Sequence, residues 1–109
     1  MTTTTIAVNR NEEKTIVVIK GQLTFGQHKE FRNAYQQDIA SVTEESWKKR
    51  EFIIDMAGVE YIDSSALGML LVLRDELKSD KMEIKIVSAR PTIRKILEVA
   101  KFDTLFTII

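Results

Sequence analysis

The chain has 109 residues, 44% hydrophobic and 29% charged, which suits one ordinary globular domain over residues 1–109 and excludes two sizeable cores. Sixteen basic and sixteen acidic residues cancel, so no basic field draws the protein to nucleic acid or to an anionic membrane surface. The absence of Cys removes disulfides, thiolate nucleophiles and thiolate zinc sites together and fits a cytoplasmic setting.

The start, Met1 to Thr5, lacks the basic and apolar regions of a signal peptide. The most apolar run, Ala66 to Leu73, is far short of the about 20 residues that span a bilayer, so no membrane insertion is expected. Ile6-Ala7-Val8 and Thr15 to Lys20 are β-rich, and the turn-like Asn9 to Glu13 between them predicts a short hairpin whose second strand ends at Gly21. Phe31, Ala34, Tyr35 and Ile39 recur at helical spacing and predict a helix from about Gln27 to Ser41. Thr43 to Arg50 reads as a solvated connector, with Trp47 expected to fold back on the core.

Phe52-Ile53-Ile54, ending at Asp55, has the form of a strand buried on both faces. A loop then leads to a second helix over about Ser64 to Lys78, and Glu83 to Val87 alternates as a strand. Pro91 suits the first turn of a third helix reaching about Ala100, and Leu105 to Ile109 closes the chain as a strand. The expected fold is therefore α/β, a mixed sheet of four to five strands with about three helices packed on it, in the order β-β-α-β-α-β-α-β.

The second helix carries the chemistry. Asp63 stands at the N-cap, where its carboxylate suits the free N–H groups and the positive end of the helix dipole. Ala66, Met69, Leu70, Leu73 and Leu77 form one stripe for packing on the sheet. Ser64, Leu67, Gly68, Leu71 and Asp75 form a second face that is too apolar for one that only meets water. Either other elements cover both faces, or the second is a docking patch with a modifiable hydroxyl at its rim. A phosphate on Ser64 would sit well at a helix N-terminus and would be felt at a docked surface instead.

The run from Phe52 to Gly68, with Asp63-Ser64-Ser65-Ala66-Leu67-Gly68 at its end, resembles the signature of STAS domains, in particular bacterial anti-sigma-factor antagonists. The element order matches that fold over nearly the whole chain. Phe31 to Tyr35 and Ala66 to Asp75 look closest to single-domain members linked to histidine-phosphotransfer, motility and biofilm signalling. The resemblance implies partner switching in signal transduction and transcription regulation. The unphosphorylated protein binds an anti-sigma factor that is also its serine kinase, phosphorylation releases it, and a PP2C-type phosphatase resets it. It makes Ser64 the phosphoacceptor, and Thr24, Asp63, Ser65, Leu67, Gly68 and Leu71 the partner-binding residues. No cofactor, metal or catalytic residue is implied, and the free protein is expected to be monomeric. One departure stands out. Many members carry Gly-Glu-Leu-Asp where this chain has Gly21-Gln22-Leu23-Thr24, so two carboxyl groups are missing near the acceptor serine.

The remaining candidates are bland. His28 reads as a surface residue at the start of the first helix, and a hydrolase triad would need it beside Ser64 with a carboxylate behind. Asp55 and Asp63 flank one loop but are a weak metal signal. Gly58 belongs to no phosphate-cradling pattern. Arg90, Arg94 and Lys95 are expected on a solvated helix face. The alternative to a switch is a constitutive STAS subunit of a larger assembly, such as a lipid-transport ATPase.

Overall fold

Buried and part-exposed side chains alternate along the central strands, which gives the sheet one covered face and one open face. The computed structural model describes residues 3–41, 51–77 and 83–109. Five strands lie side by side in chain order: β1 (Thr5–Arg10), β2 (Lys14–Leu23), β3 (Glu51–Ile62), β4 (Ile84–Val87) and β5 (Thr107–Ile108). The helices among the described residues are α1 (His28–Ser41), α2 (Ser64–Glu76) and α3 (Pro91–Val99), with single 3-10 turns at Phe25–Gln27 and Phe102–Thr104.

The β1–β2 pair is antiparallel and every later pair is parallel. Each parallel crossover advances one strand in the same direction, and right-handed connections then place all three helices on one face. Burial agrees: Val17, Ile19, Phe52, Ile54, Met56, Ile84 and Ile86 are buried. Their strand neighbours Ile16, Val18, Ile53 and Val87 are only part-buried. The run at Phe52 is thus a one-face strand, not one buried on both faces as the sequence predicts.

The larger difference lies just beyond it. The residues from Met56 to Ile62, expected as a loop, continue β3, so Asp55 and Asp63 do not flank a loop. β3 has twelve residues against ten in β2, and the ladder shifts twice, so that Val18↔Asp55 is followed by Lys20↔Gly58, and Gly21↔Val59 by Gln22↔Tyr61. Each shift adds one residue to β3, which makes both of them β-bulges. The buried positions accordingly run Phe52, Ile54, Met56, Val59, Ile62, and a period of two becomes a period of three. The bulges need two glycines. Gly21, at φ 96°, continues β2 rather than ending it. At Gly58 a Cβ would meet Lys20 Cγ at 2.7 Å and Lys20 Cα at 3.3 Å. Asp55 Oδ1 accepts from Ala57 N at 2.9 Å, and Arg90 Nε donates to Ala57 O at 3.2 Å, so the backbone groups of Ala57 in the first bulge are satisfied.

Elsewhere the elements fall close to expectation. α1 begins after a 3-10 turn, α2 stops at Glu76, and Pro91 occupies the first turn of α3. The closing strand shrinks to Thr107–Ile108 because the 3-10 turn before it buries Phe102 against Phe106, with ring centroids 5.5 Å apart. Trp47 and the connector 43–50 lie outside the described residues. Among those described, no helix is long and apolar enough to cross a membrane.

Two polar ties fasten α1. Over β1 and β2, Arg10 pairs with buried Asp38 at 2.6 Å, and the Thr15 hydroxyl donates to the same carboxylate. Arg10 also donates to Gln37 Oε1 at 2.7 Å and to Ala34 O at 2.9 Å. Toward α2, Arg32 grips Glu76 with two bonds of 3.2 and 2.7 Å, and Tyr35 OH donates to Glu76 Oε1 at 2.7 Å. The Arg32 bonds hold the Glu76 carboxyl below the usual range, aided by Tyr35 and opposed by partial burial. Burial, and then the bond to Glu76, push the Tyr35 phenol up.

Asp38→Ala removes the acceptor of the buried Thr15 hydroxyl and the ion-pair partner of Arg10, and should cost about 2 kcal/mol by urea denaturation. Tyr35→Phe should cost about 1 kcal/mol. Because Glu76 titrates lower when folded than unfolded, its contribution is present above about pH 4.3 and is lost as pH falls through the folded value. The urea midpoint of Glu76→Gln should therefore fall less between pH 6 and pH 3 than that of the unsubstituted protein.

Candidate functional site

The site is built where β2 and β3 end together. Leu23 pairs with Ile62, so the next residues, Thr24 and Asp63, leave the sheet side by side, Thr24 opening the 3-10 turn that leads into α1 and Asp63 opening α2. Each acts as a cap. Asp63 has extended backbone and its Oδ1 accepts from Ala66 N at 2.9 Å, which leaves the N–H groups of Ser64 and Ser65 as first-turn donors that a helix cannot satisfy internally. Thr24 is drawn inward instead. Its N–H and hydroxyl both donate to Gln27 Oε1, at 2.7 and 3.0 Å, and its carbonyl accepts from Gln27 N at 3.0 Å. Thr24 is thus occupied in shaping the turn into α1.

Along α2 the two faces separate as the sequence predicts, with two shifts: Met69, expected in the stripe packed on the sheet, is only part-buried, and Leu67 moves the other way. Ala66, Leu70, Leu73 and Leu77 are fully buried. Ser64 and Gly68 are exposed, as is Asp75, and Leu71 is 43% exposed. Leu67, expected on the outer face, is part-buried and packs against the core, so the outward apolar surface is carried by Leu71 and Val72. A Cβ at Gly68 would meet nothing within 4 Å beyond its own helix. Glycine inside a helix costs about 0.8–1 kcal/mol relative to Ala, and nothing among the described residues requires it there.

Beside that face lies a groove of about 330 Å³ between α1 and α2. Its α1 wall is His28, Phe31, Arg32 and Tyr35, and its α2 wall is Ser65, Gly68, Met69 and Val72. Phe25, 62% exposed, closes one end. Its ring stacks on His28 at 4.3 Å with an 11° interplanar angle, and the His28 Nδ1 lies 2.8 Å from Phe25 O. That nitrogen faces a carbonyl where a hydrolase triad would place a carboxylate. His28 is therefore a groove residue rather than a simple surface one. Phe25 and Val72 are the residues that sequence reasoning missed. Phe25 stands alone outside any periodic pattern, and Val72 falls between the two stripes of α2. Arg94 and Lys95 on α3 and Arg90 at its N-cap are exposed, away from this groove. Among the described residues no group of three His, Asp or Glu side chains could hold a metal ion.

Comparison with known proteins agrees with this geometry. The STAS domain family model matches residues 5–109. The chain is 38% identical over 92 residues to the STAS-domain containing protein PA14_20770 of Pseudomonas aeruginosa, covering 84% of each. Among solved structures, an anti-sigma factor antagonist from Mycobacterium paratuberculosis superposes with a TM-score of 0.78 at 18% identity, over 97% of this chain and 85% of that one. The Bacillus cell fate determinant SpoIIAA in its phosphorylated form gives 0.69 at 18% identity, over 96% and 91%. Its unphosphorylated form gives 0.65, also at 18% identity, over 86% and 82%. The fold and the family model together make this chain a member of the STAS domain family.

Proposed function

We propose that this protein is an anti-sigma-factor antagonist that works by partner switching. Unmodified, it binds an anti-sigma factor that is also its serine kinase. Phosphorylation of Ser64 releases the complex, and a PP2C-type phosphatase restores the binding form. It acts in the cytoplasm as one STAS domain over residues 1–109, is monomeric when free and performs no chemistry itself.

The observation that carries this reading is the outer surface of α2. An exposed serine in the first helical turn stands beside an exposed glycine with open space around it and two exposed apolar side chains, Leu71 and Val72. A phosphate there meets free N–H groups and the positive end of the helix dipole, so the domain tolerates it. A docked partner does not. The added charge of about −1.5 to −2 must be desolvated or repelled at the interface. Membership of the STAS family and the likeness to SpoIIAA, solved in both phosphorylation states, support the same reading. Asp63 and Ser65 shape the phosphosite, Gly68 and Leu71 form the contact, Leu67 backs it from the core side, and Thr24 borders it with a neutral group.

Mass mapping of protein isolated from its native host should find phosphate on Ser64. Ser64→Ala should keep partner binding while Ser64→Asp weakens it at least about tenfold, as measured by calorimetry; equal binding by both would sink the mechanism. Gly68→Ala should raise stability by about 0.5–1 kcal/mol in urea denaturation yet weaken partner binding, because its methyl group intrudes on the contact. A variant that gained stability and bound normally would remove Gly68 from the interface.

A further inference from the structure

We infer that the groove between α1 and α2 receives one apolar face of a helix, about two turns long, from the same partner, and that Phe25 is its anchor. This rests on the partner-docking reading of Ser64 and deepens it.

The dimensions and chemistry select the occupant. Each wall spans eight residues, His28 to Tyr35 and Ser65 to Val72, seven helical steps or about 10 Å. That matches the reach of positions i, i+4 and i+7 on a visiting amphipathic helix. The lining is apolar, and its one full charge, Arg32, is already held by Glu76 at the far end. A small anion therefore finds no free cation among the described lining residues, whereas a row of apolar side chains finds exposed Phe25 and Val72 and part-buried Met69, above buried Phe31. The groove also continues into the phosphate-sensitive face, because Gly68 belongs to both.

Phe25 is an unusual residue to leave 62% exposed. It is held in place, not merely left outside: the His28 ring lies flat against it, and the same ring bonds back to the Phe25 carbonyl. An aromatic side chain fixed before binding loses little freedom on binding, which is how anchor residues gain their weight. His28 is then a positioning residue acting through Phe25, and its stacking surface matters more than its proton. Thr24, bonded into the turn by Gln27, fixes the backbone from which Phe25 projects. This gives the partner two adjoining handholds, one at Ser64 that a phosphate disturbs and one at Phe25 that lies beyond its reach.

The test measures affinity of the purified anti-sigma kinase for full-length Phe25→Ala, His28→Ala and His28→Phe, each with Ser64 intact and with Ser64→Asp. Phe25→Ala should weaken binding at least tenfold with an unchanged urea midpoint, His28→Ala should weaken it severalfold, and His28→Phe should restore it. Ser64→Asp should weaken every variant by the same factor. Full binding by folded Phe25→Ala, with Ser64→Asp still defective, overturns the groove proposal and leaves the docking reading standing. If Ser64→Asp and Phe25→Ala both bind fully, the docking reading fails with it. Self-association in sedimentation that Phe25→Ala abolishes would make a second copy the occupant and overturn the partner assignment.

Discussion

The structure depends on the parallel pairing of β2 with β3. It is the longest ladder in the sheet, and its register fixes where both helices nearest the site begin. Because Leu23 and Ile62 are partners, Thr24 and Asp63 emerge from the sheet together and α1 and α2 start side by side. Two extra residues in β3 are what bring these ends level. Without the bulges, the residue opposite Leu23 would be one still within the strand, and the first turn of α2 would lie farther from the turn into α1. Gly21 and Gly58 are the steric condition for that arrangement, one through its backbone angle and the other through the close approach of Lys20.

The covered face of the sheet supplies the stability. A nearly continuous set of buried aliphatic and aromatic side chains runs from Val17 and Ile19 across Phe52, Ile54 and Ile86 to Leu70, Leu73 and Leu97. The polar ties of α1 add orientation to this burial. Asp38 secures the C-terminal half of α1 to β1 and β2, while Glu76 fastens its first turns to the end of α2. The spacing between α1 and α2, and hence the width of the groove, is therefore set by a core below and an ion pair at one end.

In the proposed function, α2 divides the demands of folding and recognition between its faces. Ala66, Leu70, Leu73 and Leu77 meet the needs of the core and leave the outer surface free to be suboptimal for the isolated domain. Gly68 lowers helix propensity, and Leu71 and Val72 expose apolar area to water. Such concessions are what the proposed docking surface would impose. Adding negative charge at the start of this helix is compatible with the domain and hostile to a docked apolar surface. A modification can in this way change association while leaving the fold in place.

The sequence alone determined the order and type of the elements, the Asp63 cap and the two-sidedness of α2. These are written in local signals: helical periodicity, a capping carboxylate, and the Asp63-Ser64-Ser65-Ala66-Leu67-Gly68 signature. It failed from Met56 to Ile62 because two bulges break the period of two that identifies a strand, and a bulge is defined only by the partner it faces. It placed Leu67 outward because helical spacing assigns a residue to a face without saying how far neighbouring elements wrap around it. Phe25, His28 and Val72 became a group only when the register of β2 on β3 set two helices next to each other. Their proximity is a property of strand pairing, and no local pattern of residues encodes it.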